Sequence, residues 1–281
     1  MEILKRDIRE TIVSGLFYPE EPRELARRVE KELEQQKNHR GAARIILTPH
    51  GSWDQCAECI AAAFSAARDF KPRRILLIAP VHREREEQKI YLPTKKFFDS
   101  PLGLLPVDQK SCGILKQEEG LFTVDDSPHM EEHALELQLP FIQTLFPDTP
   151  LIPLLTAGLK RSNIKKGAAL IRSFLKEQEG NTLIILSANL SRYGRMEETE
   201  KEAGTLLEDL NFPLKNSMLE KEKKGDVSSC GVVPLHLVSD LNLFSDREKG
   251  LFNLLHRSRT EVEDKNGTMA VHYAAGVWTG H

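Results

Sequence analysis

The sequence predicts an α/β fold, a sheet covered by helices on both faces. Short, branched apolar runs alternate with stretches of helical periodicity along the whole chain. The runs are continuous rather than alternating with polar residues, as in strands buried on both sides. No linker rich in Pro or Gly separates them. The 281 residues therefore read as one domain, 1–281, although a length prior of about 150 residues per domain would give two.

Taken in order, residues 44–48 (RIILT) and 74–79 (RILLIA) have the look of buried strands. Between them, residues 52–70 are Ala-rich with apolar positions three and four apart, which predicts a helix. Residues 93–108 (PTKKFFDSPLGLLPVD) carry the punctuation of a loop or hairpin. Strand, helix and strand return at 151–155, 163–176 and 182–187. A further helix is expected over 232–241, and strands over 250–257 and 269–278. In residues 129–141, Leu135, Leu137 and Leu139 alternate while Glu132 and Glu136 sit four apart, which fits a helix start with a polar stripe.

Thirty-nine Lys and Arg against 42 Asp and Glu leave a net charge of −3. That balance argues against a nucleic-acid binder, which shows a clustered basic face. No run approaches the roughly 18 apolar residues that span a bilayer, and MEILKRDIRE lacks a signal-peptide core. A cytoplasmic setting with Cys56, Cys59, Cys112 and Cys230 as thiols is the expectation. The charge runs at 83–87 and 220–224 are expected to be solvated. Cys56 and Cys59 lie inside the Ala-rich helix and read as small buried residues. His39, His256 and His281 have no company in sequence and carry no assignment.

Ligands of open α/β sheets bind beyond the carboxyl ends of the strands. Two Pro-containing loops each deliver a histidine there, Pro49-His50 and Pro80-Val81-His82. Ser229-Cys230-Gly231 precedes a predicted helix, whose N-terminus favours a thiolate. His133 and Glu136 are candidates to face the same cleft.

Together these strings resemble the Memo family, called AmmeMemoRadiSam system protein B in its bacterial and archaeal members. They are Gly15 to Pro19, Pro49-His50-Gly51, Pro80-Val81-His82, Ser100 to Asp108, Glu132 to Phe141, Ser187 to Gly194, Cys230-Gly231 and Tyr273 to Gly276. Each string is weak alone; eight in order are specific. The resemblance implies a three-layer single domain with a central mixed, mostly parallel sheet, similar to class III extradiol dioxygenases. It implies metal ligands at His50, His82 and Cys230, with iron or copper as the metal. Imidazole and thiolate alone also suit zinc, and a site without metal stays open. A functional link to a radical-SAM protein is implied as well; no nucleic-acid or membrane partner is expected.

The sequence also leaves its family. Where the usual string is Ser-Ser-Asp-Leu-Ser-His-Tyr-Gly, this chain has Asn189 for the Asp and Arg192 for the His. Arg83 replaces a second His after His82, and the usual His-Ala-Gly loop is His50-Gly51-Ser52. Arg cannot act as acid and base, so extradiol ring cleavage is not expected, and any activity would be a metal-dependent oxidoreduction. At about 6 Å and an effective dielectric of about 20, each unit of added positive charge costs a divalent cation roughly 5 kcal/mol before relaxation. Two readings follow. One is a metal site of reduced affinity acting on a small molecule, with His133 and Glu136 for proton transfer. The other is a non-catalytic binding or regulatory module that takes an anionic ligand or peptide through Asn189 and Arg192.

Overall fold

The computed structural model describes residues 3–83, 88–117, 120–178, 180–215, 217–244, 249–265 and 267–280. Most of the charge run at 83–87, and His281, lie outside the described residues. After a short strand β1 (Ile8–Arg9) comes helix α1 (Pro22–Gln35), which the sequence reading did not anticipate. It begins on a proline, which has no N–H to waste, behind Glu21, whose side chain accepts from Glu24 N. Leu25, Val29 and Leu33 form its buried stripe. Strand β2 (Ile45–Thr48), helix α2 (Trp53–Ala67) and strand β3 (Arg74–Pro80) follow where the apolar runs predict them. Cys56 and Cys59 are buried on α2 as free thiols, and burial pushes both above the usual thiol range.

Strand β4 (Lys89–Leu92) leads to the hairpin β5 (Phe97–Ser100) and β6 (Gly103–Pro106), which forms a small sheet with β1. Helix α3 (Gln109–Lys116) is capped by Asp108, whose carboxylate accepts from Ser111 N at 3.0 Å. Strand β7 (Phe122–Val124) and helix α4 (Asp126–Glu131) come next. The helix expected through 129–141 is broken. Glu132 is extended (φ −98°, ψ 124°), a 3-10 turn occupies Glu136–Gln138, and helix α5 (Leu139–Leu145) starts afresh with Pro140 in its first turn. The Glu132 carboxylate accepts from Ala134 N at 2.9 Å, a local bond that competes with helical pairing.

Strand β8 (Leu151–Ala157), helix α6 (Arg161–Glu177) and strand β9 (Thr182–Ser187) continue the alternation. Then come β10 (Gly194–Arg195), α7 (Met196–Glu208), α8 (Ser217–Lys224), α9 (Val232–Ser239) and the long hairpin β11 (Gly250–Asp264) and β12 (Gly267–Gly280). The larger sheet runs β10-β12-β2-β9-β3-β8-β4-β7, with β11 outside β12. Its centre, β2-β9-β3-β8, is parallel; β12 and β4 attach antiparallel on either side. Strands β2, β8 and β9 are buried throughout, which explains their continuous apolar runs. Helix α2 packs on β2, β11 and β12, and α9 packs on β3 and β9, giving three layers. No helix of the described residues is long and apolar enough to cross a membrane.

Arg9 is fully buried and binds the irregular segment after α4. Its Nε donates to His129 O at 2.9 Å, one terminal nitrogen to Glu132 O at 2.8 Å, and the other to the Glu136 carboxylate. Glu136 also accepts from Ile12 N, Val13 N and Tyr18 Oη.

Removing one partner of a buried ion pair strands the other charge, a loss of about 3–5 kcal/mol. Arg9→Met should lose that much in urea denaturation, and Arg9→Met combined with Glu136→Gln should recover part of it. Additive losses would contradict the pairing. Acid should destabilise the fold through His129 and His236, which are buried and held neutral, with burial lowering each to about 4. In the unfolded chain each takes up a proton near pH 6.5. Unfolding thus binds protons below pH 6.5, so stability falls as pH drops from about 6.5 towards 4, by up to about 1.4 kcal/mol per pH unit for each. A urea midpoint that is flat between pH 6.5 and 4.5, or a slope unchanged by His236→Leu, would contradict this.

Candidate metal centre

Strand order brings the candidate residues together. Strand β9 lies between β2 and β3, with Thr48 beside Ser187 and Leu186 beside Ile78. The three carboxyl ends are therefore neighbours, and they launch His50, Asn189 and His82 over one edge. The His50 and His82 ring centroids are 4.9 Å apart. Cys230 reaches the same point from the turn before α9, with Sγ 3.3 Å from His50 Nε2. One ligand atom from each of His50, His82 and Cys230 lies within 4.8 Å of the others.

The surrounding hydrogen bonds assign the Nδ1 protons of both rings. The Ser187 hydroxyl has one proton, which it donates to Ala134 O at 2.9 Å. His50 Nδ1, 2.9 Å from the same oxygen, must then be the donor, which leaves Nε2 as the nitrogen beside Cys230. His82 Nδ1 lies 3.0 Å from Glu132 Oε1, and a carboxylate only accepts, so its Nδ1 also carries the proton. Glu132 Oε2 accepts from His82 N at 2.8 Å. Both rings are held by their far nitrogens, the arrangement that orients metal-binding histidines.

Glu132 is buried, yet the bond and charge of His82 outweigh that burial and hold its carboxyl down to about 2. Burial raises the Cys230 thiol and lowers His82. The two imidazoles beside the sulfur, and Cys230 with Glu132 beside His82, override those effects and leave Cys230 well below and His82 well above their ordinary ranges. His133 packs parallel to His82 at 5.1 Å and has Nδ1 3.2 Å from Glu132 Oε1. Burial lowers its pKa to about 4, so it stands neutral.

Two small-residue contacts tighten the site. A Cβ at Gly231 would lie 2.3 Å from the Ala188 side chain, so only glycine lets the Cys230 turn close onto the end of β9. A Cβ at Gly51 would lie 2.8 Å from the Tyr273 hydroxyl, which accounts for glycine in the His50 loop.

Of the residues singled out in the sequence, His50, His82, His133, Asn189, Arg192 and Cys230 line one cavity of about 550 Å³. Glu136 is not brought there: its carboxylate is spent on Arg9, Tyr18 and the backbone of Ile12 and Val13. Asn189 faces the cavity and also has a structural duty, its Oδ1 accepting from His50 N at 3.0 Å. Arg192 is exposed at the rim, where its charge acts on Glu222, another lining residue. The sequence reading missed Glu132, Ser187 and Glu222. Glu132 stood in a quoted string beside His133, but choosing it required knowing that the helix breaks there.

A family model described as Memo-like protein matches residues 9–277. A MEMO1 family protein of Thermotoga neapolitana is 28% identical over 259 residues, covering 85% of this chain and 90% of that one. One of Ignicoccus hospitalis is 25% identical over 285 residues, covering 95% and 97%. Among solved structures, an uncharacterized protein from Escherichia coli K12 superposes with a TM-score of 0.51 over 83% of this chain and 98% of its own, at 11% identity, a likeness of fold. With the match running from β1 into β12, and so through every element that builds the cavity, the chain belongs to the Memo-like protein family.

Proposed function

We propose that this chain uses His50, His82 and Cys230 to hold a transition metal and acts on a small molecule in the cavity above it. The observation that carries the reading is the hydrogen bond that holds the far nitrogen of each ring. Ser187 and Glu132 accept from Nδ1 of the two rings, which leaves the opposite nitrogens beside the Cys230 sulfur. The donor set of two imidazoles and a thiolate suits iron, copper or zinc. When bound, such a metal supplies Lewis-acid or one-electron chemistry at the positions these three residues leave open.

The remaining groups divide the work around it. Glu132 orients His82 and spans to His133. His133, neutral and lining the cavity, is the residue that can take a proton from a bound molecule, a role a guanidinium does not fill. Asn189 holds the His50 loop in place through its backbone N–H. The alternative, a module that binds an anion, rests on Arg192 at the rim. The carboxyl group of Glu222, which lines the same cavity, interacts with that charge, so we rank the anion reading second.

Protein purified anaerobically and loaded with Fe(II), Cu(I) or Zn(II) should retain about one equivalent of one of them by elemental analysis. His50→Ala and Cys230→Ser should abolish retention, and Glu132→Gln should weaken it about 10- to 100-fold through loss of the group that orients His82. No retained metal, or retention indifferent to all three changes, would refute the reading. Arg192→His should tighten metal binding by roughly tenfold, because the exposed charge is screened to a fraction of its unscreened effect. If Arg192→His leaves the metal unaffected and abolishes a thermal shift with phosphate or carboxylate ligands, the anion reading takes precedence.

A further inference from the structure

Strand β11 ends the larger sheet. Among the described residues its outer side is paired at the start, where Phe212 N donates to Gly250 O at 2.7 Å and Phe252 N donates to Asn211 Oδ1 at 2.8 Å. Over residues 253–264 no described strand lies beside it. Such an edge is a template for a further strand unless it is blunted by Pro, unmatched charges, a bulge or a cover; the register shift of β11 lies between Leu254 and His256, and the ladder is regular from there to Asp264. Residues 250–264 contain neither Pro nor Lys.

The backbone groups that the edge offers can be assigned. His272 of β12 turns both of its groups away from β11, its C=O accepting from Leu190 N at 2.9 Å and its N–H donating to Ser191 Oγ at 3.1 Å. Arg259 lies opposite His272 in the ladder. In an antiparallel pair the two backbone groups of a residue point to the same side, and that side alternates along the strand. Arg259 therefore presents its N–H and C=O outward, as do Arg257, Glu261 and Glu263. The side chains of these four residues are exposed on one face.

Their charges are segregated, two Arg and then two Glu, which is the pattern that matches its own reverse. Antiparallel pairing of β11 with a second copy about Thr260 sets Arg259 against Glu261 and Arg257 against Glu263, each twice. The same register aligns outward N–H and C=O groups of each strand with those of the other. Neighbouring registers fail. Centring on Arg259 or Glu261 puts a charge against itself, and centring on Ser258 puts Arg257 against Arg259. Within one chain the two arginines are held along this face by Glu200, at 2.6 Å from Arg257 and 3.4 Å from Arg259, and Arg259 also pairs with Glu261. These pairs are solvent-exposed and so contribute little that an exchange between copies would lose.

We propose that the chain forms a twofold dimer in which two β11 edges pair antiparallel about Thr260, joining the larger sheets of both copies into one. A contact built on one strand and its flanking charges is smaller than a standard permanent interface. The dimer is accordingly concentration-dependent and weakened by salt.

Sedimentation of the full chain tests it. The wild type should show a monomer–dimer equilibrium. Arg257→Glu with Arg259→Glu, and separately Glu261→Arg with Glu263→Arg, should each weaken self-association by roughly tenfold or more, and mixing the two variants should restore association. In a Cys230→Ser background, Thr260→Cys should form an intermolecular disulfide on mild oxidation, because residue 260 faces its own copy. Arg259→Pro is the second edge variant: it removes an outward N–H without touching the β12 ladder, and with an unchanged circular dichroism spectrum it should sediment as a monomer. A wild type that is monomeric at every concentration overturns the proposal. So does a dimer that survives Arg259→Pro and both charge reversals, or a Thr260→Cys chain that stays uncrosslinked while dimeric.

Discussion

The buried guanidinium of Arg9 supports the part of the site that regular secondary structure does not. Between α4 and α5 the chain abandons the helix, and each residue there leaves backbone groups that need partners. Arg9 supplies donors to His129 O, Glu132 O and the Glu136 carboxylate from a strand more than a hundred positions earlier. With its backbone fixed, Glu132 can turn its carboxylate inward to His82 and His133 rather than to water. Burying a carboxylate is unfavourable unless it is paired and bonded, and here the pairing is with the rings it orients. One ion pair outside the cavity thus sets the direction of a histidine inside it.

The sheet provides the other half of the constraint. Because β9 runs between β2 and β3, the end of β9 sits beneath both histidine loops, and its Ser187 and Asn189 brace His50 from below and through the backbone. Gln138 completes the brace: it donates to Pro49 O at 2.8 Å and accepts from Thr48 Oγ1 at 3.0 Å. Polar residues buried at strand ends act here as spacers of defined hydrogen-bond capacity. A hydroxyl at 187 with its proton already committed requires His50 to donate from Nδ1. That is a stricter demand than packing alone would impose.

Much of this was legible in the sequence, and the physical reason is locality. Strands β2, β3, β8 and β9 announce themselves because burial on both faces demands unbroken apolar runs, and the residues just beyond them are then placed at one edge. His50 and His82 followed from that rule, and Cys230 from its position before α9. The segment 129–141 was not legible, because the bonds that break the helix involve Arg9 and His82, which are distant in sequence. Its periodicity suggested a polar stripe with Glu136 facing the cleft, whereas Glu136 is directed at Arg9 and Glu132 faces the histidines. Helices α1 and α7 were missed for another reason: both are highly charged, with only a narrow buried stripe to carry the period.

The departures from the family string also look different in three dimensions. Asn189 Oδ1 accepts from His50 N, a bond that a carboxylate oxygen would make as well, so the exchange of Asp for Asn keeps the brace and removes one charge. Arg192 adds a positive charge, but its backbone N–H is tied to Ser228 O at 2.6 Å while its side chain stays exposed, where water screens it. Glu222, which lines the same cavity, is drawn towards the neutral form by burial and by Cys230 and held back by Arg192. The charge change read from two positions is thus shared among three residues and the solvent. A full Coulomb sum over a bare pair overstates the penalty for a cation at His50, His82 and Cys230. What Arg192 alters is the rim of the cavity, where a bound molecule would also meet Glu222, more than the floor where His50, His82 and Cys230 come together.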